Sequence, residues 1–234
     1  MPTHLPKGTI IAIDGPSGAG KSSLSKAIAS KYDTKYLDTG AIYRAFTLWC
    51  LNNDVNLADE TLVAQKFTDF PFETNLNPVE PKFYLGQEDI TAKIRTAKIT
   101  ANVSRIATNL KVRWQLQDLQ RQITKNAASE ASIVLEGRDT TTVIVPDASI
   151  RILLIASESA RLARRATENF GHADEETIAA TSSEIIDRDA KDATVSTFFQ
   201  ASQGATTIDS STLNLAETIA LAEEIIWAKI NEEN

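Results

Sequence analysis

Cysteine is almost missing from this chain: Cys50 is the only one in 234 residues, so no disulfide framework can form. Its apolar, helix-like surroundings mark it as a small core residue. No segment approaches 18 consecutive apolar residues, so nothing reads as a membrane span. Residues Met1–Gly8 lack the apolar stretch and cleavage-like site of a secretory leader. Positive charge is also short. The 24 Lys and Arg stand against 31 Asp and Glu, a net charge of −7. That balance argues against nucleic acid or an anionic membrane as the main partner. It leaves small anionic substrates open, because a local arginine cluster can bind these within an acidic protein. Repeats and low-complexity tracts are absent. The expectation is a soluble, cytoplasmic chain, long enough for one sizeable core with small insertions.

Glycine is scarce as well, yet three of the nine fall within six residues. The run Gly15-Pro16-Ser17-Gly18-Ala19-Gly20-Lys21-Ser22 fits G-x-x-x-x-G-K-[ST] without a mismatch. An apolar run, Thr9–Asp14, precedes it and reads as a buried strand. Ser23–Ala29 follows and reads as a helix. This context makes a phosphate cradle, with backbone N–H groups and a helix N-terminus facing the anion. Lys21 is expected to reach the β- and γ-phosphates, and the Ser22 hydroxyl to ligate Mg²⁺. Gly15 to Ser22, together with Ser23, form the expected nucleotide-binding set.

Strand patterns fall at Ile10–Asp14, Lys35–Asp38, Ser132–Glu136, Arg151–Ala156 and Thr206–Asp209, each followed by a helical pattern. This alternation predicts an α/β fold: a five-stranded parallel sheet between two helical layers. Residues 60–91 break the rhythm and hold three of the seven prolines. A turn at Asn75–Pro78 and a hairpin at Phe83-Tyr84-Leu85-Gly86 suggest an inserted subdomain. Residues 94–128 contain neither proline nor glycine, so a long helix is expected there, broken near Thr108–Asn109. Residues 157–181 read as helix, loop and helix.

A phosphate loop does not by itself separate switches from kinases. No glycine here has Asp three residues before it, and Asn-Lys-x-Asp is absent, which argues against a signalling GTPase. Arginine placement says more. Of the eleven, Arg44 follows the second expected strand and Arg138 follows the third. Ligands of open α/β sheets bind beyond the carboxyl ends of strands, so the pair suggests a second phosphate site. Arginine suits it because its planar fork holds phosphate bidentately. Arg161, Arg164 and Arg165 share one helix face at i, i+3 and i+4. A mobile segment carrying them could fold over a phosphoryl group in transfer.

At these motifs the chain resembles the bacterial cytidylate kinases, a family of nucleoside monophosphate kinases. The matching stretches are IDGPSGAGKSS (13–23), YLDTGAIYRA (36–45), EDITAKIRT (88–96), EGRD (136–139), PDA (146–148), RDAKD (188–192) and IDSSTL (208–213). The resemblance implies transfer of a phosphoryl group from ATP·Mg²⁺ to CMP or dCMP by a monomer. It implies a core of 1–59, 100–160 and 182–234, an inserted CMP-binding subdomain at 60–99 and a lid at 161–181. By position, Arg44 and Arg138 would hold the CMP phosphate. Thr39, Arg113 and Asp139 would read the cytosine edge, with Ser104 in the same pocket. Arg188 and Asp192 would meet the sugar hydroxyls. Lys21, Arg138, Arg161 and Arg165 would act on the transferred phosphoryl group. Ser22, and Glu136 through water, would hold the metal. There are departures: Thr39 stands for Ser, Glu136 for Asp, Thr141 for Gly, and Val195 where the family pattern has an arginine. Thr194 or Ser196 could supply a hydroxyl in its place. A kinase for UMP, dTMP or a metabolite hydroxyl, or an ATP-binding regulatory domain, are the rival readings.

Overall fold

The structure is a computed structural model and describes residues 4–232. In chain order the elements begin with β1 (Ile10–Asp14), α1 (Lys21–Lys31), β2 (Lys35–Asp38) and α2 (Thr39–Asn52). An insertion follows, with α3 (Glu60–Gln65), β3 (Phe72–Thr74), β4 (Phe83–Leu85) and β5 (Glu88–Asp89). Then come α4 (Ala97–Thr108), α5 (Leu110–Glu130), β6 (Ile133–Gly137) and β7 (Ile150–Ile155). The chain closes with α6 (Glu158–Phe170), α7 (Glu175–Asp192), β8 (Thr206–Asp209) and α8 (Leu215–Glu232).

Five strands form a parallel sheet in the order β2-β6-β1-β7-β8. The fold class is the expected one, and the five strands lie within one residue of their predicted positions. β1 is central, so its side chains are buried on both faces, as the near-continuous apolar run requires. Ile11 and Ile13 join the layer of α1 and α8, packing with Leu24, Ile28 and Ile226. Ala12 faces the other layer, with Phe46 of α2 and Val112 and Leu116 of α5. The period of two along the strand thus divides one short sequence between two cores.

Register positions the site. Asp14 pairs with Gly137 and Asp38 with Glu136, so the loops after β1, β2 and β6 leave the same sheet edge side by side. Gly15 must be glycine: its φ is +152°, and a Cβ there would lie 2.0 Å from the Leu154 carbonyl oxygen.

The insertion carries an antiparallel sheet, β3-β4-β5, and not a lone hairpin. β3 escaped the sequence pattern because it has only three residues and follows Pro71 directly. Phe83, Leu85, Ile90 and Ile94 seat this sheet on Ala41 and Ala45 of α2. The long helix breaks where expected. The Asn109 side chain accepts from the amides of Lys111 and Val112 and so starts α5 afresh. Residues 157–181 form the expected helix, loop and helix, but α7 runs on to Asp192. No helix among the described residues is long and apolar enough to cross a membrane.

Candidate active site

The phosphate loop joins β1 to α1. Gly20, at φ +96°, precedes α1, whose first turn has no side-chain cap and no acidic residue. Its orphan N–H groups head the helix next to the loop, the arrangement that favours an anion. Lys21 lies inside the loop and donates to the Pro16 carbonyl at 2.8 Å. Burial, with the Arg138 charge adding to it, lowers the Lys21 pKa to about 8; Glu136 and Asp189 oppose the shift.

Two carboxylates lie on the sheet edge beside this lysine. Asp38 caps α2 through the Ala41 amide at 2.9 Å and pairs with Arg95 at 2.5 Å. Burial pushes its pKa up, but Arg95 and the cap bond together bring it below the usual range. Glu136 accepts from the Tyr36 hydroxyl and is hydrogen-bonded with Ser22. Burial, reinforced by Asp38, raises its pKa.

Arg138 ties the phosphate loop to the rest of the site. Its Nη2 donates to Ser17 Oγ at 2.7 Å. Its other nitrogens ion-pair with Asp189 and Asp192 of α7, both at 2.8 Å. Its guanidinium lies 4.2 Å from the ring centre of the fully buried Phe198. Asp189 is a second junction. It accepts from the Ser17 amide at 3.0 Å and from Arg161, which also donates to the Ser17 carbonyl at 3.0 Å.

A small pocket, about 50 Å³, opens beside Arg138 and is lined by Thr39, Tyr43, Arg113, Asp139, Arg188 and Asp192, among others. This volume has room for a water or two. Asp139 accepts from Arg113 Nη2 at 2.5 Å and from Gln117 Nε2 at 2.9 Å. Thr39 donates to the Glu136 carbonyl at 2.7 Å. Asp192 Oδ1 is buried and has no hydrogen-bond partner.

Other expected residues lie elsewhere. Ser104 does not line this pocket; with Arg95, Thr100, Arg188 and Lys191 it lines a neighbouring open cleft of about 550 Å³. Arg188 is shared by both cavities because α7 passes between them. Arg44 is buried beside the cleft, donating to Thr100 Oγ1 at 2.9 Å and the Ile94 carbonyl at 3.2 Å. Burial, then the charges of Arg188 and Arg95, lower its pKa to about 9. Arg165, mostly buried, meets Glu168 and Glu184, and its charge also bears on Arg44 and Arg188. Thr194 is exposed and donates to the Lys191 carbonyl, so of the two hydroxyls beside Val195 it is Ser196 that lines the pocket.

The sequence shows Arg164 only as one of three arginines on a helix face, and it assigns three other residues no role. Arg164 reaches the phosphate loop at the Ala19 carbonyl and spans to Ser210 and Leu213 after β8. Its helical spacing beside Arg161 was the available signal. Asp14 accepts four hydrogen bonds, at 2.7–2.9 Å, from the amides and hydroxyls of Thr140 and Thr141. These bonds oppose a pKa that burial raises. They also account for Thr141 where glycine is usual, and they pin the π-helical turn Thr140–Ile144 directly after Arg138-Asp139. Asp189 lies in the RDAKD stretch without a role, and Gln117 carries no motif of its own.

A phosphate loop on the central strand, bridged by arginine to a second polar pocket under a helical pair, defines a phosphate-loop kinase with a small-molecule acceptor. The sequence model of the cytidylate kinase family matches residues 11–228, and the chain belongs to that family. The cytidylate kinase of Streptomyces avermitilis is 39% identical over 221 residues, 94% of this chain and 93% of that one. The cytidylate kinase of Lactiplantibacillus plantarum is 39% identical over 223 residues, covering 94% and 95%. Among solved structures, a gluconokinase from Sinorhizobium meliloti 1021 aligns over 97% of this chain and 95% of its own, at 16% identity and a TM-score of 0.48.

Proposed function

We propose that this protein transfers the γ-phosphoryl group of ATP to CMP and dCMP, giving ADP and CDP or dCDP. The observation that carries the reading is Arg138: one guanidinium touches Ser17 of the phosphate loop and lines the pocket that holds Arg113 and Asp139. A group so placed can contact the acceptor phosphate and the phosphoryl group moving toward it.

No covalent intermediate or general base is needed, since phosphoryl transfer is driven by positioning and charge. The loop amides and Lys21 hold the ATP phosphates. Lys21, Arg138 and Arg161 meet the charge that spreads over the transferred oxygens, and Arg165 joins them as the lid closes. The acceptor phosphate is held by Arg44 and Arg138. The Asp139 carboxylate accepts from the cytosine N4 amino group, which uracil lacks. Asp192 Oδ1, buried without a partner, accepts from a sugar hydroxyl beside Arg188.

The residues present fit Mg²⁺. The Ser22 hydroxyl and the Glu136 carboxylate are hard oxygen donors within hydrogen-bond reach of each other. No cluster of three His, Cys, Asp or Glu suited to a metal exists among the described residues. Mg²⁺ typically keeps water and substrate phosphates in its shell. When bound it supplies positive charge to the β- and γ-phosphate oxygens. The insertion at 60–99 serves as the CMP-binding subdomain and residues 161–181 as the lid, in a cytoplasmic monomer.

The test is ADP release with ATP, Mg²⁺ and each of CMP, dCMP, UMP, dTMP, AMP and GMP. CMP and dCMP should be the best acceptors. If another monophosphate exceeds CMP the reading is wrong, and no ADP with any of them would leave a binding domain.

A further inference from the structure

Asp139 is held in an unusual way. Two donors converge on a single oxygen, Oδ2: Arg113 Nη2 at 2.5 Å and Gln117 Nε2 at 2.9 Å. Both come from α5, one helical turn apart at i and i+4, so they present side by side to the loop after β6. Arg113 is fixed in turn by its bond to the Ala107 carbonyl at 2.9 Å and by the Tyr43 ring beneath it. Gln117 and Asp139 are both about 95% buried. No group among the described residues donates to the other oxygen, Oδ1, and Asp139 lines the small pocket.

We propose that Gln117 is the specificity-determining residue of the acceptor pocket: with Arg113 it saturates one oxygen of Asp139 and so leaves the other as a fixed, acceptor-only atom for an exocyclic amine. This rests on the reading of the pocket as a cytosine site. A carboxylate held by Arg113 alone has two equivalent oxygens and can rotate to share Arg113 between them. Rotation turns the free lone pairs away from the base edge. With the second donor in place, rotation breaks a hydrogen bond in a buried site, where an unpaired amide is costly. The orientation is therefore set before the base arrives, and preorganisation of this kind adds to discrimination without adding a contact. Gln117 also fixes the sense of the choice. Its amide donates to Asp139 and cannot force the carboxylate to become a donor, so a base with a carbonyl at the same place meets an acceptor facing an acceptor. Gln117 touches no substrate and acts through Asp139 as a positioning residue.

The experiment compares three acceptors: CMP, UMP, and the ribonucleoside monophosphate of pyrimidin-2-one, which is CMP with its 4-amino group replaced by hydrogen. Wild type and Gln117→Leu are assayed on all three. Loss of the amide should lower kcat/KM for CMP about tenfold, a typical loss for a hydrogen bond to a charged group. For the pyrimidin-2-one analogue the loss should stay below about twofold, because the atom that Asp139 serves is gone. The CMP/UMP ratio should fall accordingly. Equal losses on CMP and the analogue mean that Gln117 only supports the fold, and the proposal fails. No change on CMP overturns it as well. If wild type shows no preference for CMP over UMP, the cytosine reading itself fails, whatever the variant does. Gln117→Met, which keeps chain length without the amide, gives the same readout if the leucine variant does not fold.

Discussion

The half-buried lysine of the phosphate loop makes ATP affinity a function of pH. In the nucleotide-free protein the Lys21 pKa is lowered to about 8, by burial first and by Arg138 second. ATP places several negative charges on the ammonium group, which returns its pKa toward the ordinary value of about 10.4. Binding above pH 8 must therefore take up a proton. The sign follows: the free protein loses the proton at lower pH than the complex, so affinity falls as pH rises. Between pH 7 and 9 the fraction of free protein carrying the charge drops about tenfold, and Kd should rise about tenfold with it. Titration calorimetry in two buffers of different ionisation enthalpy measures both quantities. Proton uptake should approach one per site near pH 9. Lys21→Met should bind ATP weakly at every pH, with no uptake. A wild-type Kd constant within twofold from pH 7 to 9 would refute the argument. The same group acts oppositely on folding. Its folded pKa lies below the unfolded one, so between pH 8 and about 10.4 the unfolded chain holds more protons and stability gains from rising pH. The Tm of ligand-free wild type should therefore rise relative to that of Lys21→Met across this window.

Three further outcomes test the acceptor side. Asp192→Ala should lower kcat/KM for CMP about tenfold more than for dCMP, as the buried Oδ1 of Asp192 has no protein partner; equal losses would assign it to the ion pair with Arg138 alone. Phe198→Leu removes the ring under the Arg138 guanidinium, a cation–π contact worth about 1–2 kcal/mol, so kcat should fall about 5- to 30-fold with the KM for ATP unchanged. A lower Tm with wild-type kcat would leave Phe198 a packing role only. Thr141→Val deletes the hydroxyl bond to Asp14 at 2.7 Å and should cost about 1–3 kcal/mol, a Tm loss of roughly 2–12 °C. The KM for CMP should rise with it, since this bond anchors the turn after Arg138-Asp139; a variant with unchanged Tm would sink the tether.

What could be read from the chain was whatever is periodic or local. Ile10–Asp14 and Lys35–Asp38 fell at their observed limits because buried parallel strands read as short apolar runs ending at turn signals. The break at Asn109 was legible since an N-cap residue has its own local signature. The phosphate loop was legible because its chemistry is written in consecutive residues. Contacts that carry no local pattern were not. Asp189 meets Ser17 across 172 positions, and its place in the RDAKD stretch gives no hint of that partner. The same holds for Asp14, whose partners lie 126 and 127 residues away. These acids are nonetheless required by a count the sequence does allow. Placing Arg138 and Arg161 in a largely buried site demands nearby negative charge, because an unpaired buried cation is untenable. Asp189 and Asp192 supply it, and α7 carries both, which is why that helix lies against the phosphate loop. Where the family pattern places an arginine, Val195 leaves this site with one cation fewer to balance. Arg138 pairs with two carboxylates and sits on Phe198, three residues beyond Val195. Departures at 195 and 141 thus have a common physical reading. The position of Arg138-Asp139 rests on side chains of this chain's own: a ring on one side, and on the other two threonines tied to Asp14.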